Sequence, residues 1–226
     1  MRSWSRGVRP LDSHDRRWPL RVVVGSGLLG GTWYALRYPA VQRGDVRVGD
    51  AVRGFGTPLL DSVVTHTTDL GSVYSVIGVA TTLAATGRPR HAADVLGVGM
   101  AAWNVAQWSK TRVRRQRPYE QDGVRRLIRK PTGSSFPSGH AAVGVAMFTM
   151  LADRSHGGAA RRILQGFGAY VALSRVYVGV HYPTDVLGGA GMGLAVGALW
   201  RGPIARVSRR VVGRIYATAT RALRSG

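Results

Sequence analysis

A histidine and a carboxylate four residues apart are the first candidates for catalytic residues. His181 stands two residues before Pro183, and Asp185 follows four residues after the histidine. Because proline favours the first turn of a helix, we expect both side chains at a helix start, with the carboxylate within reach of one ring nitrogen. That contact would fix the tautomer of the imidazole and leave its other nitrogen free to attack phosphorus.

A second segment, Pro137-Ser138-Gly139-His140, predicts an anion-binding helix start. Ser138 is a good N-cap, and Gly139 lets the backbone approach a ligand closely. The unpaired amides of the first turn and the positive end of the helix dipole can bind phosphate oxygens. The dipole should disfavour protonated His140, whereas a bound phosphate dianion should favour it. We therefore expect His140 to protonate the leaving oxygen once substrate is bound.

Three basic side chains, Lys110, Arg117 and Arg175, are expected to complete the anion site. The arginine forks suit pairs of phosphate oxygens, and fixed positive charge stabilises the equatorial oxygens during phosphoryl transfer. Taken singly, these segments also fit a solvated basic loop, a simple helix cap and a turn pair. Their combination is what predicts a phosphate site.

The three segments resemble the signature motifs of the type 2 phosphatidic acid phosphatase superfamily. The matching patterns are Lys110-x6-Arg117-Pro118, Pro137-Ser138-Gly139-His140 and Ser174-Arg175-x5-His181-x3-Asp185, which together span about a third of the chain. The basic-Pro repeat that usually follows the first motif is weaker here, because Tyr119-Glu120 follow Pro118.

The resemblance implies a metal-independent phosphatase that needs no cofactor and forms a phosphohistidine. His181 would be the nucleophile, Asp185 its orienting carboxylate, and His140 the general acid and later the base for water. The resemblance assigns phosphate binding to five residues: Lys110, Arg117, Ser138, Gly139 and Arg175. Since the membrane branch of the family has six helices and acts on lipid phosphates, the expected substrate is a polyprenyl (di)phosphate or a glycerolipid phosphate.

Six apolar runs supply the elements that would position these motifs. They are rich in Gly, Ala, Val and Leu, and cover 22–36, 70–87, 92–109, 141–152, 163–174 and 186–200. No segment of convincing length alternates as a strand does, so the fold is predicted to be all-α. The shorter runs fall below the ~20 residues of a spanning helix, but small residues suit helix contact in lipid. We predict a six-helix transmembrane bundle with short re-entrant or interfacial helices, a soluble bundle being the alternative.

The chain divides into three predicted parts: a basic tail over 1–21, the phosphatase domain over 22–201 and a basic amphipathic helix over 202–226. That last helix is expected to lie on an anionic leaflet. Outside the motif loops, arginine is concentrated on the side of the two termini, which predicts that this side is cytoplasmic. The protein would then cross the cell (inner) membrane several times, with its active site on the extracytoplasmic side.

The amino-acid composition excludes several classes of protein. The chain has 226 residues, a net charge of +21 and no cysteine, which excludes a disulfide scaffold, a Cys-ligated metal centre and a Cys nucleophile. The charge predicts an anionic partner, but basic residues at run ends and in loops do not predict a nucleic-acid groove. The alternatives are a soluble acid phosphatase with the same site, a vanadate-dependent haloperoxidase, and a basic nucleic-acid- or membrane-binding protein. The sequence leaves open the physiological lipid, the oligomeric state and a lid role for 37–69.

Overall fold

The computed structural model describes residues 17–121, 123–155 and 157–204. This part of the chain contains helices and no strands, which confirms the all-α prediction for these residues. Eight α-helices follow one another: α1 (Trp18–Ala35), α2 (Pro39–Gly54), α3 (Pro58–Thr67), α4 (Val73–Ala85), α5 (Pro89–Lys110), α6 (Gly139–Arg154), α7 (Gly158–Tyr177) and α8 (Pro183–Leu199). Most of the predicted tail and the C-terminal helix beyond residue 204 lie outside the described residues.

Six of these helices coincide with the six apolar runs, namely α1 and α4 to α8. Local chemistry sets several of their starts. Pro89 and Pro183 occupy the first turns of α5 and α8, while the side chains of Ser72 and Ser138 cap α4 and α6. Helix α1 begins at Trp18, four residues before the predicted start of the domain.

The segment 37–69, which the sequence left without a clear role, forms α2 and α3. Helix α2 is polar on average and buries Asp45 and Gly49, and it packs against α7 and α8. A buried carboxylate on a polar helix needs hydrogen-bonding partners, which indicates that α2 belongs to a polar network inside the protein. The structure therefore joins this segment to the bundle.

Helix α6 lies at the centre, in contact with α5, α7 and α8. The core around it consists mainly of alanine, valine and methionine, so the helices approach closely. A methyl group on Gly189 would lie 2.3 Å from the carbonyl oxygen of Ser138, and one on Gly193 would lie 2.3 Å from that of Ala142. These two glycines let α8 pack closely against the first turn of α6, which brings two of the predicted motifs together.

A short 3₁₀ turn, Thr68–Gly71, covers the start of α6 from the other side. A methyl group on Gly71 would lie 2.5 Å from the carbonyl oxygen of His140, so only glycine permits this contact. The turn thereby places Thr68 and Asp69 next to the second motif.

Many large apolar side chains face outward rather than into the core. Examples from four helices are Val23, Tyr74, Phe167 and Leu187, with Tyr74 reaching 86% exposure. Among the described residues, no helix combines the length and hydropathy needed to cross a membrane.

Candidate active site

His181 and Asp185 lie at the start of α8, as their spacing predicts. The imidazole is buried at 2% exposure, and its Nδ1 lies 3.6 Å from Oδ2 of Asp185. That separation exceeds a hydrogen bond, and Nδ1 has no hydrogen-bond partner among the described residues. The carboxylate thus faces Nδ1, which leaves Nε2 as the nitrogen available for attack.

Asp185 is held by three other donors, which accounts for the distance to Nδ1. Oδ2 accepts hydrogen bonds from Ser135 Oγ at 2.5 Å and from the Tyr182 amide at 2.8 Å. Oδ1 accepts one from Arg115 Nη1 at 2.5 Å. Because all three donors are fixed by their own elements, the carboxylate cannot turn freely toward the imidazole.

A second buried carboxylate, Asp45 of α2, extends this network. Its Oδ2 accepts from Arg115 Nη2 at 2.6 Å and from Thr184 Oγ1 at 2.5 Å, and its Oδ1 accepts from the Thr184 amide at 2.9 Å. Arg115 therefore bridges the carboxylates of Asp45 and Asp185. Sequence reasoning missed Arg115, Asp45 and Ser135; the one available signal was the rarity of acidic residues in so basic a chain.

Arg117 faces the free nitrogen of His181. Its Nη1 lies 3.3 Å from Nε2 of the histidine and also donates to the carbonyl oxygen of Val180 at 3.0 Å. Its other N–H groups donate to the carbonyl oxygens of Thr132, Gly133 and Ser134. A guanidinium has five N–H groups, so the loop holds Arg117 rigidly, with one Nη1 donor directed at Nε2 of His181.

Arg175, at the end of α7, is 2% exposed and keeps an unused donor. Its Nη1 donates to Thr68 Oγ1 at 2.8 Å, and that hydroxyl also lies 2.7 Å from Ser174 Oγ. Its buried Nε has no partner among the described residues. Because a buried charged donor requires a hydrogen-bond partner, this Nε is a group through which Arg175 could donate to a bound anion.

The start of α6 has the geometry of an anion site. Ser138 is the N-cap, and its Oγ accepts from the Ala141 amide at 3.4 Å. Gly139 opens the helix, where an added methyl group would meet Trp103 and Ala106 at ordinary contact distances. The protein itself therefore does not demand glycine here, which leaves ligand approach as the reason for it.

Lys110 and His140 complete the set of predicted residues. Lys110 ends α5, and its charge acts on Arg117, Asp185 and Arg175. His140 follows Gly139 in α6, and its Nε2 lies 3.2 Å from Oδ1 of Asp69.

The structure thus gathers the eight predicted residues into one cluster that includes the buried imidazole of His181. Around it lie three cations, the amides of a helix start and a second histidine. No group of three His, Asp or Glu side chains in the described part of the chain could hold a metal ion. This arrangement suits the binding of a tetrahedral anion beside a buried imidazole.

Burial lowers the pKa of His181 to about 3; the Arg117 and Lys110 charges add to this, and Asp185 opposes it. The folded protein keeps this imidazole neutral, whereas the unfolded chain protonates it below its pKa of about 6.5. The free energy of unfolding is therefore unaffected above that pH and decreases as the pH falls toward 3. We expect the wild type to lose up to ~1.4 kcal/mol more stability per pH unit than His181→Gln below pH 6.5. Thermal unfolding midpoints from pH 7.5 to 4.5 measure this difference, and equal slopes in the two proteins would contradict it.

Asp69 occupies the mouth of the site, where an anion would have to bind. Its Oδ1 lies 3.7 Å from Nη1 of Arg175, and the hydrogen bond from His140 lowers its pKa, so it is charged at neutral pH. It is 71% exposed on its side chain, so screening limits its effect. We expect Asp69→Asn to lower the inhibition constant of inorganic phosphate about twofold to fivefold, because one competing negative charge is removed. Asp50→Asn, at an exposed Arg53 pair on α2, is the control and should leave the constant unchanged; a weaker phosphate affinity in Asp69→Asn would contradict the expectation.

An anion site at helix starts inside a helical bundle is typical of proteins that bind or transfer phosphate. Comparison of the sequence with models of known families identifies the family. The sequence model of the PAP2 superfamily matches residues 92–206, and this chain belongs to that superfamily. The resemblance seen in the three motifs is thereby confirmed.

Curated relatives carry the names of phosphatases. The chain is 36% identical over 120 residues to decaprenylphosphoryl-5-phosphoribose phosphatase of Mycobacterium tuberculosis H37Rv, covering 52% of this chain and 65% of the relative. It is 31% identical over 147 residues to undecaprenyl-diphosphatase BcrC of Bacillus subtilis, covering 63% of this chain and 74% of the relative. The chain therefore spans slightly less than two thirds of the first of these relatives.

Two crystal structures share the fold. A transmembrane PAP2-type phosphatidylglycerolphosphate phosphatase from Bacillus subtilis superposes with a TM-score of 0.70 and 25% identity, covering 78% of this chain and 94% of that protein. LpxE of Aquifex aeolicus superposes with a TM-score of 0.61 and 27% identity, covering 68% and 92%.

Proposed function

We propose that this chain is an integral-membrane lipid phosphatase or diphosphatase that forms a phosphohistidine on His181. The observation that carries the proposal is the orientation of the imidazole. Its Nδ1 faces the carboxylate of Asp185 at 3.6 Å, and its Nε2 faces the guanidinium of Arg117 at 3.3 Å. A buried, neutral imidazole held in this way presents a nucleophilic lone pair to the cations that would bind the phosphate.

In the first step, Nε2 of His181 attacks phosphorus, and the P–O bond to the leaving group breaks. His140 donates a proton to the departing oxygen, and Asp185 stabilises the positive imidazole. The oxygens of the transferred group receive hydrogen bonds from Arg117 Nη1 and the unused Nε of Arg175.

In the second step, water attacks the phosphohistidine. His140, deprotonated by the first step, accepts a proton from the water as the P–N bond breaks. Inorganic phosphate leaves, and His181 returns to its neutral form. The balanced reaction consumes one water and requires neither a metal ion nor a cofactor.

Placement in the membrane is supported by the outward-facing apolar side chains and by the transmembrane relative. Helices α1 and α4 to α8 would cross the bilayer, with α2 and α3 at its surface. Tyr74, Phe167 and Leu187 would face lipid, since a monomer in water rarely exposes so many large apolar groups. The arginine distribution favours an active site on the extracytoplasmic side of the cell membrane. Anionic bilayer lipid, rather than nucleic acid, would be the other partner.

The names of the relatives favour a polyprenyl phosphate or diphosphate as the substrate, with a glycerolipid phosphate as the second candidate. The test is phosphate release by the detergent-purified chain, in EDTA, from a panel of polyprenyl diphosphate, polyprenyl-phosphoryl-5-phosphoribose, phosphatidylglycerol phosphate and phosphatidic acid. We expect turnover on at least one lipid, with polyprenyl substrates fastest. A folded protein that releases phosphate from none of them would refute the proposal.

A matched pair of variants makes the test specific. Arg175→Gln removes a buried donor and should lower kcat about 100-fold or more, as expected for a lost transition-state donor. Arg88→Gln, exposed in the turn between α4 and α5, removes the same charge away from the site and should leave turnover unchanged.

Extraction with alkaline carbonate tests membrane integration, since a soluble phosphatase would leave the membrane without detergent.

A further inference from the structure

A cavity with strongly basic walls adjoins the catalytic network. It has a volume of about 770 Å³ and lies between the end of α1, one face of α2 and the loop that follows α5. Five arginines line it: Arg37, Arg43, Arg47, Arg114 and Arg115. No aspartate or glutamate lines it among the described residues.

Within the described part of the chain, four of these five arginines have no carboxylate partner. Arg115 forms ion pairs with Asp45 and Asp185, but the side chains of Arg43, Arg47 and Arg114 form no hydrogen bond or ion pair with any described residue. The guanidinium carbon of Arg37 lies 5.1 Å from the ring centres of Trp33 and of Tyr34, and no ion pair of Arg37 occurs with the residues that the structure describes. Like charges that face one cavity repel one another, and a bound anion would relieve this repulsion.

The positions of the arginines suit a phosphate group. Arg43 and Arg47 are one turn apart on α2, so both project from the same face of that helix. Arg114 approaches from the opposite loop and Arg37 from the end of α1. Guanidinium groups bind phosphate oxygens in pairs, and several that converge from different elements give a site its specificity.

This cavity is distinct from the place where the reaction would occur. Of the residues assigned above to the reacting phosphate, none lines it, and neither does a histidine. It shares Arg115 and Tyr182 with the Asp185 network, and Tyr182 lies under Arg115 at 4.1 Å from the ring centre. An anion held there would not be attacked by His181.

We propose that this basic cavity binds a second phosphate group, either the phosphodiester of an anionic lipid headgroup or free phosphate, without hydrolysing it. Trp33 at the rim, half-exposed and next to Tyr34 and Tyr38, is typical of a membrane–water interface and suits a lipid headgroup. Binding goes beyond the proposed reaction and can be measured without turnover.

The experiment compares two double variants of the full chain in detergent. Arg43→Gln/Arg47→Gln removes two charges from the cavity, and Arg88→Gln/Arg129→Gln removes two exposed charges elsewhere. The lipid probe is phosphatidylglycerol, a diester with no monoester phosphate to release, titrated by native mass spectrometry. We expect its dissociation constant to rise about tenfold or more in the cavity variant and to stay at the wild-type value in the control.

The two sources of phosphate are separated by a second arm. Inorganic phosphate is titrated by thermal shift against the same proteins, and zwitterionic phosphatidylcholine checks that the lipid effect requires negative charge. A loss with phosphatidylglycerol alone identifies a headgroup site, and a loss with inorganic phosphate alone identifies a free-phosphate site. If the double variant disturbs the fold of α2, Arg114→Gln on the opposite wall of the cavity provides an independent test. If neither probe separates the cavity variants from the control, the proposal is overturned.

Discussion

Replacing His181 by glutamine is expected to abolish phosphate release, lowering kcat by about 10⁴-fold or more. Glutamine is similar in size and polarity but offers no nucleophilic lone pair at the position of Nε2. Because Arg117, Arg175 and the start of α6 stay in place, substrate should still bind, so the loss should appear in kcat rather than in KM. Steady-state kinetics on the best lipid of the panel measures it.

The phosphohistidine intermediate provides a second measurement of the role of His181. Wild-type protein quenched during turnover of a ³²P-labelled substrate should carry label that is lost in acid and kept in base, as expected for a phosphorus–nitrogen bond. His181→Gln should carry none. His66→Gln is the matched control, since that imidazole is exposed on α3 and bonds only Ser62 of its own helix. A labelled, active His181→Gln protein would exclude this histidine as the nucleophile.

Arg115→Gln is expected to have the largest effect on stability, a loss of about 3–5 kcal/mol. Asp45 and Asp185 are both buried, and each receives an ion pair from this one guanidinium. Removing it leaves two uncompensated carboxylates in the interior, which is far more costly than losing a surface pair. Thermal and denaturant unfolding in detergent measures the change, and kcat should fall as well because Asp185 loses a fixed donor.

Two comparisons separate this effect from a general loss of charge. Arg125→Gln breaks an exposed pair with Asp61, where the arginine is 76% exposed on its side chain, and should change stability by less than about 1 kcal/mol. Asp45→Asn introduced into Arg115→Gln removes one of the two stranded charges and should recover part of the lost stability. If the double variant is no more stable than Arg115→Gln alone, buried charge is not the cause.

The hydrogen bonds that hold Asp185 also affect the first step of the proposed reaction. Ser135, Tyr182 and Arg115 hold its two oxygens, so the carboxylate is fixed before any substrate arrives. When His181 becomes positive in the first step, attraction between the imidazolium and this carboxylate grows. Held in place 3.6 Å from Nδ1, the carboxylate can stabilise this charge without having to move, as a preorganised group does.

Much of this protein follows from its sequence alone. The six apolar runs predict six of the eight α-helices that the structure describes, because hydrophobic periodicity is a local property of the chain. Ser138 and Pro183 predict two helix starts for the same reason, since capping depends on neighbouring residues. The spacing of His181 and Asp185 predicts their contact, because four residues across a helix start determine it.

The tertiary structure alone assigned the partners of these residues. Asp45 is 140 residues from Asp185, and nothing in the sequence distinguishes Arg115 from the other arginines near it, yet the packing of α2 against α8 joins the three. Asp69 reaches His140 only because Gly71 lets its turn rest on the start of α6. The basic cavity likewise forms where three separate segments meet. Such contacts depend on how distant elements pack, which no local pattern encodes.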